Sequence, residues 1–466
     1  MSQSSDVARI PGSFRDPAGF LFMHQGTLYR QINEGCSEAY QRLMASGLYQ
    51  ALVDAGQLVS HQECDPAETA AASAWKVIQP ERVPFVSWPY EWSFGQLKAA
   101  ALATIRIQRQ AIQRGMSLRD ASAYNIQFLR RRPVLIDTLS LGLYVEGEPW
   151  VAYQQFCRHF LAPLALMALT DVRLGTLSKV HIDGVPLDVA VKLLPFSSKL
   201  KFGLLVHLHL HAGSSTRHAD DAAEASPKPT SGGVSRAAML GLIDSLEGAV
   251  SGLDWAPAGT EWADYYATMS YTEASHQHKR ELVANFLAKI KPKQVWDLGA
   301  NTGVFSRIAA EAGARVLAFD VDPGAVERHW RDVVARRDES VLPLLQDLTN
   351  PSGGVGWAND ERASLAARGP ADAVMALALI HHLSISNNVP LDRVAAFLRT
   401  LGRQLIIEFV PKSDVQVRRL LATREDVFPD YTIEGFEAAF QLHFRVLARE
   451  PVRQSDRVLF WMEALG

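Results

Sequence analysis

The sequence predicts a two-unit chain of the α/β class: an α+β unit over residues 1–211, a flexible linker over 212–236, and a doubly wound, mostly parallel sheet of seven strands over 237–466. Three observations carry this. Downstream of residue 290, short buried-strand runs alternate with amphipathic helical stretches, the order that builds a parallel sheet covered on both faces. Between residues 212 and 236, Ser, Pro, Gly, Ala and charge replace apolar periodicity, GSSTRHADDAAEASPKPTSGGVS in its middle. A glycine-bearing turn joins the first strand of the alternating region to its helix.

The elements of that region follow in order. Gln294–Leu298 reads as a buried strand and Val304–Ala312 as a helix, followed by a strand at Arg315–Phe319, a helix from Gly324 to about Arg337 and a strand at Val341–Leu345. A strand at Asp372–Leu377, a helix at Leu391–Leu401 and a strand at Gln404–Glu408 complete the parallel part. A helix at Ile433–Phe440 leads to strands at Phe444–Ala448 and Arg457–Trp461, a terminal antiparallel hairpin.

Composition narrows the function. The chain has 466 residues, 48% hydrophobic and 21% charged, which is globular material for two or three units. Lys+Arg 47 against Asp+Glu 50 leaves a charge of −3, without the basic excess that holds nucleic acid. Cys36, Cys64 and Cys157 form no CxxC pair and read as reduced thiols. The start MSQSSDVARIPGS lacks an apolar h-region, and the apolar run Phe160–Leu169, broken by Pro163, is too short to cross a bilayer. The expectation is a soluble cytoplasmic protein with neither a nucleic-acid nor a membrane partner.

The chemistry concentrates in VWDLGANTGVFS, where Gly299, Asn301 and Gly303 make a tight strand-to-helix turn that brings backbone N–H groups and a helix N-terminus against a ligand. A ligand-free turn is the plain alternative. Asp320 closes the second strand in AFDVDP, where a carboxylate can accept both hydroxyls of a ribose. Asp347, in LLQDLTNP, ends the third strand within reach of an adenine amino group. A dinucleotide turn would want glycine where Val304 stands, which ranks NAD below an adenosine bearing a sulfonium.

DLGANTG, Asp320, Asp347 and ALALIHHL resemble the class I S-adenosylmethionine-dependent methyltransferases over about Tyr265–Gly466, and the whole chain resembles their NoeA-type nodulation host-specificity members. The resemblance implies a Rossmann-like sheet and S-adenosyl-L-methionine as cofactor. Asp297, Gly299, Ala300, Asn301 and Gly303 would hold the methionine part, Asp320 the ribose, Asp347 with Leu348 the adenine, and Tyr271 would act as a lid. Asn301 replaces the usual middle glycine, and asparagine is the non-glycine residue best able to take a left-handed backbone.

Methyl transfer needs donor and acceptor in line and a base for the acceptor's proton. His381 and His382 follow the fourth strand at the carboxyl edge of the sheet, and Glu408 ends the fifth; each is a candidate base, with packing or loop-holding as the plain alternative. No Asn/Asp-Pro-Pro-aromatic signature follows the fourth strand, which disfavours base or glutamine methylation. A small molecule or carrier-bound metabolite is the expected acceptor.

In the first unit, LRDASAYNIQFLRRRPVLIDTLS sets Asp120, Asn125 and Asp137 at separations of five and twelve, with a strand hairpin between the last two. A phosphoryl-transfer site needs one carboxylate to orient the acceptor and an amide plus a second carboxylate for magnesium. The pattern resembles a degenerate protein-kinase-like fold, with VPFVSWPYEW as the strand and hinge before the helix Phe94–Arg114. Arg30, with Glu38 as partner, is the nearest substitute for a strand lysine, and no glycine-rich loop precedes it. Turn-capping Asp and Asn are the alternative.

His207, His209 and His211 would share a face if VHLHLH were a strand, and could then bind metal; an apolar helix explains the run equally well, and His61 with Cys64 is weaker still. No metal is expected. The leading function is cofactor-dependent methyl transfer assisted by a kinase-like domain. The alternatives are a phosphotransferase with a regulatory methyltransferase-like domain, and a non-enzymatic scaffold.

Overall fold

β-branched and aromatic runs bounded by turn residues become strands where the expectation placed them. In the computed structural model, which describes residues 7–69, 71, 73–212, 233–257, 272–422 and 425–465, the second unit is built on seven: β10 (Gln294–Leu298), β11 (Arg315–Asp320), β12 (Val341–Leu345), β13 (Ala371–Ala376), β14 (Gly402–Phe409), β15 (Phe444–Pro451) and β16 (Val458–Ala464). Their order is β12-β11-β10-β13-β14-β16-β15. The first five are parallel; β16 runs antiparallel to both β14 and β15. From β10 the chain winds out to β11 and β12, then crosses to β13 and β14 on the other side. The strand order therefore reverses beside β10, where open α/β sheets form a ligand crevice. Helices Val304–Glu311, Pro323–Arg336 and Leu391–Leu401 make the crossovers, and Trp296, Phe319, Phe409, Phe436 and Phe440 fill the core with their rings. Asp347 lies two residues past β12 rather than in it.

The chain divides into Met1–Ala256 with Val355–Arg362, and Pro257–Gly354 with Ala363–Gly466. This moves a boundary: the helix Arg236–Ser251, which the sequence reading gave to the second unit, belongs to the first. Its apolar face, Met239, Ile243, Leu246 and Val250, is buried, and Arg109 of the helix Phe94–Gln113 pairs with Asp244 (2.5 Å) and Glu247 (2.7 Å). Most of the expected linker, 213–232, lies outside the described residues.

The first unit opens with an antiparallel sheet in the order β1-β2-β3-β5-β4: β1 (Val7–Arg9), β2 (Leu21–His24), β3 (Thr27–Ile32), β4 (His61–Cys64) and β5 (Lys76–Pro80). Two helices, Ser37–Ala45 and Leu48–Asp54, separate β3 from β4. The strand before the hinge is β5, ahead of VPFVSWPYEW, which instead holds a short helical turn at Pro89–Glu91. Ser93 caps the 20-residue helix Phe94–Gln113 by accepting the Gln96 N–H, a capping box that fixes its start. Two two-stranded antiparallel sheets follow: β6 (Met116–Leu118) with β9 (Leu141–Leu143), and between them in the chain the hairpin of β7 (Ile126–Leu129) with β8 (Arg132–Leu135). The VHLHLH run is a helical turn, Leu205–Leu210, and not a strand. Its histidines do not converge: His207 pairs with Tyr153 and Ser245, and His209 with Ser198, each at 2.8 Å. No helix among the described residues is long and apolar enough to cross a membrane.

Candidate functional site

Leaving β10, the chain turns through Gly299 (φ 75°), Asn301 (φ 50°) and Gly303 (φ 80°) before entering the helix Val304–Glu311. Asn301 takes the left-handed conformation its side chain tolerates, and its Oδ1 accepts the Thr302 N–H at 2.7 Å. Gly303 is required sterically, because a Cβ there would lie 2.0 Å from Nε2 of the buried His329. The turn's N–H groups are used within the protein. Those of Gly299 and Ala300 donate to the Phe319 carbonyl (2.8 and 2.9 Å) and that of Asn301 to Asp320 Oδ2 (2.7 Å). The expectation that these amides face a ligand is thereby corrected: the turn offers close approach, and the polar grip comes from side chains.

Above this turn lies a cavity of about 480 Å³, the size that holds a nucleoside-sized ligand. It brings together Asp297, Gly299, Ala300 and Asn301 from β10 and its turn, Asp320 at the end of β11, Asp347 and Leu348 beyond β12, and His382 beyond β13. Gly303, His381 and Glu408 do not line it, so the roles expected of them change. Gly303 makes room for His329. His381 is fully buried with neither ring nitrogen hydrogen-bonded. Glu408 is fully buried as well, its Oε2 2.7 Å from Lys279 Nζ. Tyr271 lies outside the described residues.

Asp320 accepts the N–H groups of Asn301 on Oδ2 (2.7 Å) and Asp322 on Oδ1 (2.9 Å). Burial pushes it up to about 6, against backbone hydrogen bonds from Asp322, Asn301 and Val321. Burial likewise pushes Asp297 up to about 7, although its Oδ2 accepts a 2.6 Å hydrogen bond from Ser306. Two carboxyls held this high are poised to ionise when a cation arrives. Asp347 is exposed, and its Oδ1 accepts both the N–H and the hydroxyl of Thr349 (2.8 and 2.6 Å).

The helix Glu273–Ile290 adds His276 and Lys279 to the cavity. They lie one turn apart on a single helix face, and that i,i+3 spacing in EASHQHK was the available signal. Lys279 Nζ sits 4.8 Å from the Phe305 ring centroid, a cation–π contact, and burial lowers its pKa while Glu408 opposes the shift. Behind Glu408 stands Arg457, its Nη1 3.8 Å away and its Nε 2.8 Å from Asp414. His382 is pushed down to about 4, by burial first and then by Arg457, so its imidazole is neutral at physiological pH and only weakly basic. Gln346 and Leu379, from the LLQDLTNP and ALALIHHL segments, line the wall too, and Ser386 and Leu420 add groups that no motif marked.

Nodulation protein NoeA of Rhizobium meliloti (strain 1021) is 37% identical over 462 residues, which is 98% of this chain and 96% of the relative. The chain belongs to the NoeA family. No protein-family model matches it. Among solved structures, magnesium protoporphyrin IX methyltransferase (ChlM) of Synechocystis PCC 6803 is 18% identical to this chain, over 44% of this chain and 93% of its own, with a TM-score of 0.31. N-methyltransferase NodS of Bradyrhizobium japonicum WM9 is 12% identical over 42% of this chain and 98% of its own, also at 0.31. At such scores these likenesses carry no weight for fold or reaction.

In the first unit, Asp120, Asn125 and Asp137 meet only in part. Asn125 donates to Ser140 Oγ (3.2 Å), which donates to Asp137 Oδ2 (2.9 Å), whereas Asp120 accepts the N–H of Ser122 (2.8 Å). Arg30 pairs with Asp16 (2.7 Å) and Asp137 (3.0 Å), not with Glu38, which is exposed. His61 bonds the Tyr40 hydroxyl at 2.8 Å, and no group of metal-ligating residues occurs among the described residues.

Proposed function

We propose that the second unit binds S-adenosyl-L-methionine and transfers its methyl group to a small molecule or carrier-bound metabolite. The observation that carries this is the cavity at the strand-order reversal, where Asp320 at the end of β11 and the Gly299–Gly303 turn after β10 lie side by side. The donor set fits the group. Asp320 offers a carboxylate to ribose hydroxyls, Asp297 becomes a full anion beside an ammonium, and Leu348 with Asp347 suits a purine edge. When bound, the cofactor supplies a methyl carbon activated by a positive sulfur.

This chain's residues would then position and deprotonate. His382, on the cavity wall, would take the acceptor's proton. Lys279, held by Glu408, orients the acceptor from the facing helix. Leu379 and Leu420 keep water from the reacting atoms. Incubating the full chain with methyl-labelled cofactor and metabolite extract tests the reading: label should enter a product with wild type and fall at least tenfold with His382→Ala. Transfer unchanged in that variant would remove His382 from the role.

We further propose a kinase-like fold for the first unit, supported by its five-stranded antiparallel sheet, the helix Phe94–Gln113 and the hairpin between Asn125 and Asp137. The Arg30 guanidinium pairs with Asp137, the carboxylate that with Asn125 would hold magnesium, as well as with Asp16, and this favours a binding role over phosphotransfer. ATP hydrolysis abolished by Asp137→Ala would reverse that preference.

A further inference from the structure

The first unit carries a basic, apolar turn that neither its fold nor the proposed reaction uses. Residues 189–212, AVKLLPFSSKLKFGLLVHLHLHA following Val189, contain three lysines and no acidic residue. Within seven of them, Phe196, Leu200 and Phe202 are 74, 78 and 75% exposed, with Lys199 and Lys201 exposed between them. Leu193 and Lys192 extend the same stretch outward on the preceding helix, Leu187–Leu193. Single exposed apolar side chains are ordinary on a protein surface, but three large ones within two short helical turns are not.

The turn is held firmly from beneath. Ser198 is fully buried, donating to the Pro195 carbonyl at 2.7 Å and bonding His209 Nε2 at 2.8 Å. Leu204 and Leu208 are buried, and Gly203 lies flush on the helix Arg236–Ser251, where a Cβ would come within 2.7 Å of Ala249 Cβ. The chain thus buries Ser198 and turns Phe196, Leu200 and Phe202 outward. A side chain is normally placed the other way round when the only solvent is water.

We propose that this turn docks the protein on an anionic bilayer surface. Phe196, Leu200 and Phe202 would enter the boundary between headgroups and acyl chains, and Lys199 and Lys201 would remain at the headgroups, their apolar stems alongside the rings. Lys199 Nζ already lies 5.5 Å from the Phe196 ring centroid, at the height such an arrangement needs. A protein partner would have to supply acids for every lysine around an apolar centre, whereas an anionic membrane supplies negative charge in any register. The segment is too short to span, so the attachment is peripheral and reversible.

Sedimentation of the full chain with vesicles tests this, with phosphatidylcholine alone against phosphatidylcholine containing phosphatidylglycerol. The chain should partition to the anionic vesicles and much less to the neutral ones, and added salt should release it. Lys199→Gln with Lys201→Gln should weaken partitioning roughly thirtyfold, from about 1 kcal/mol per basic residue near the surface. Phe196→Ser with Phe202→Ser should abolish binding even at low salt. These side chains are exposed, so both variants should melt as wild type does, which separates the docking role from folding. Absence of partitioning by wild type, or equal partitioning by the lysine variant, overturns the proposal. Loss of a dimer in the phenylalanine variant without any vesicle binding would assign the patch to a second copy and overturn it also. Methyl transfer in solution is not required for either outcome.

Discussion

Replacing Glu408 by glutamine removes the counterion from a buried cluster in which every charge is accounted for. Glu408 is wholly buried; Lys279 Nζ is 2.7 Å away and Arg457 Nη1 3.8 Å, and Arg457 has Asp414 as its second partner. In Glu408→Gln the Lys279 ammonium loses its hydrogen-bonded counterion and keeps only the more distant attraction of Asp297, and breaking a buried pair in this way costs about 3–5 kcal/mol. Lys279→Met is gentler, because Glu408 keeps Arg457. The double variant Lys279→Met/Glu408→Gln should recover part of the loss, since methionine fills the lysine's space without its charge. For a unit of about 200 residues, with each kcal/mol worth roughly 2–4 °C, Glu408→Gln should melt roughly 6–20 °C below wild type. Burial already lowers the Lys279 pKa, so in Glu408→Gln the folded state holds that proton more weakly than the unfolded chain does. Stability should therefore rise as the pH is raised toward the ordinary lysine range, where the neutral amine carries no burial cost. Calorimetric unfolding of the four proteins at two pH values gives the comparison. A Glu408→Gln protein within about 2 °C of wild type, or a Lys279→Met protein less stable than Glu408→Gln, would refute this account of the cluster.

Gly303→Ala should lose stability twice over, from backbone strain at φ 80° and from a Cβ 2.0 Å from the His329 ring. Gly313→Ala, at φ 91° with nothing within 4 Å, should show the strain alone; the difference in melting temperature measures the ring contact, expected at about 1–3 kcal/mol. Burial raises both Asp297 and Asp320, so the ligand-free unit is favoured by their protonation and loses that stabilisation as pH rises through about 6 to 7. A cationic ligand wants the ionised forms. Its affinity should then fall about tenfold on going from pH 8 to pH 5 through Asp320 alone, with protons released on binding near pH 6, as titration calorimetry in two buffers would show. In the first unit, Asp137→Asn should weaken the Arg30 pair and lower the melting temperature without changing cofactor affinity.

Much of the second unit was legible because its strands are buried on both faces and read as continuous apolar runs. β10 and β12 fall on the residues expected, and β14, β15 and β16 extend past them as ladder pairing continues, in β16 into the half-buried positions Glu463 and Ala464. The cavity-lining acids were legible for the same reason: Asp297 and Asp320 break apolar strands near their carboxyl ends. Lys279 and His276 were less so, since the i,i+3 spacing puts them on one face of a helix outside the βα alternation without saying that this face meets the sheet. Glu408 showed the opposite failing. Its position at a strand end suggested a base, but its side chain is used by Lys279. The helix Arg236–Ser251 was assigned to the wrong unit because composition marks where order weakens and not which neighbour takes an amphipathic face.

The central claim is that the hollow above the Gly299–Gly303 turn grips a sulfonium nucleoside through Asp320. Isothermal titration of the full chain with S-adenosylhomocysteine tests it most directly, because no acceptor is needed. The account predicts saturable binding at one site, weakened roughly ten- to hundredfold in Asp320→Ala, the worth of a charge-assisted hydrogen bond to the ribose. A folded wild-type protein that takes up no ligand, or an Asp320→Ala protein that binds as wild type does, would contradict it.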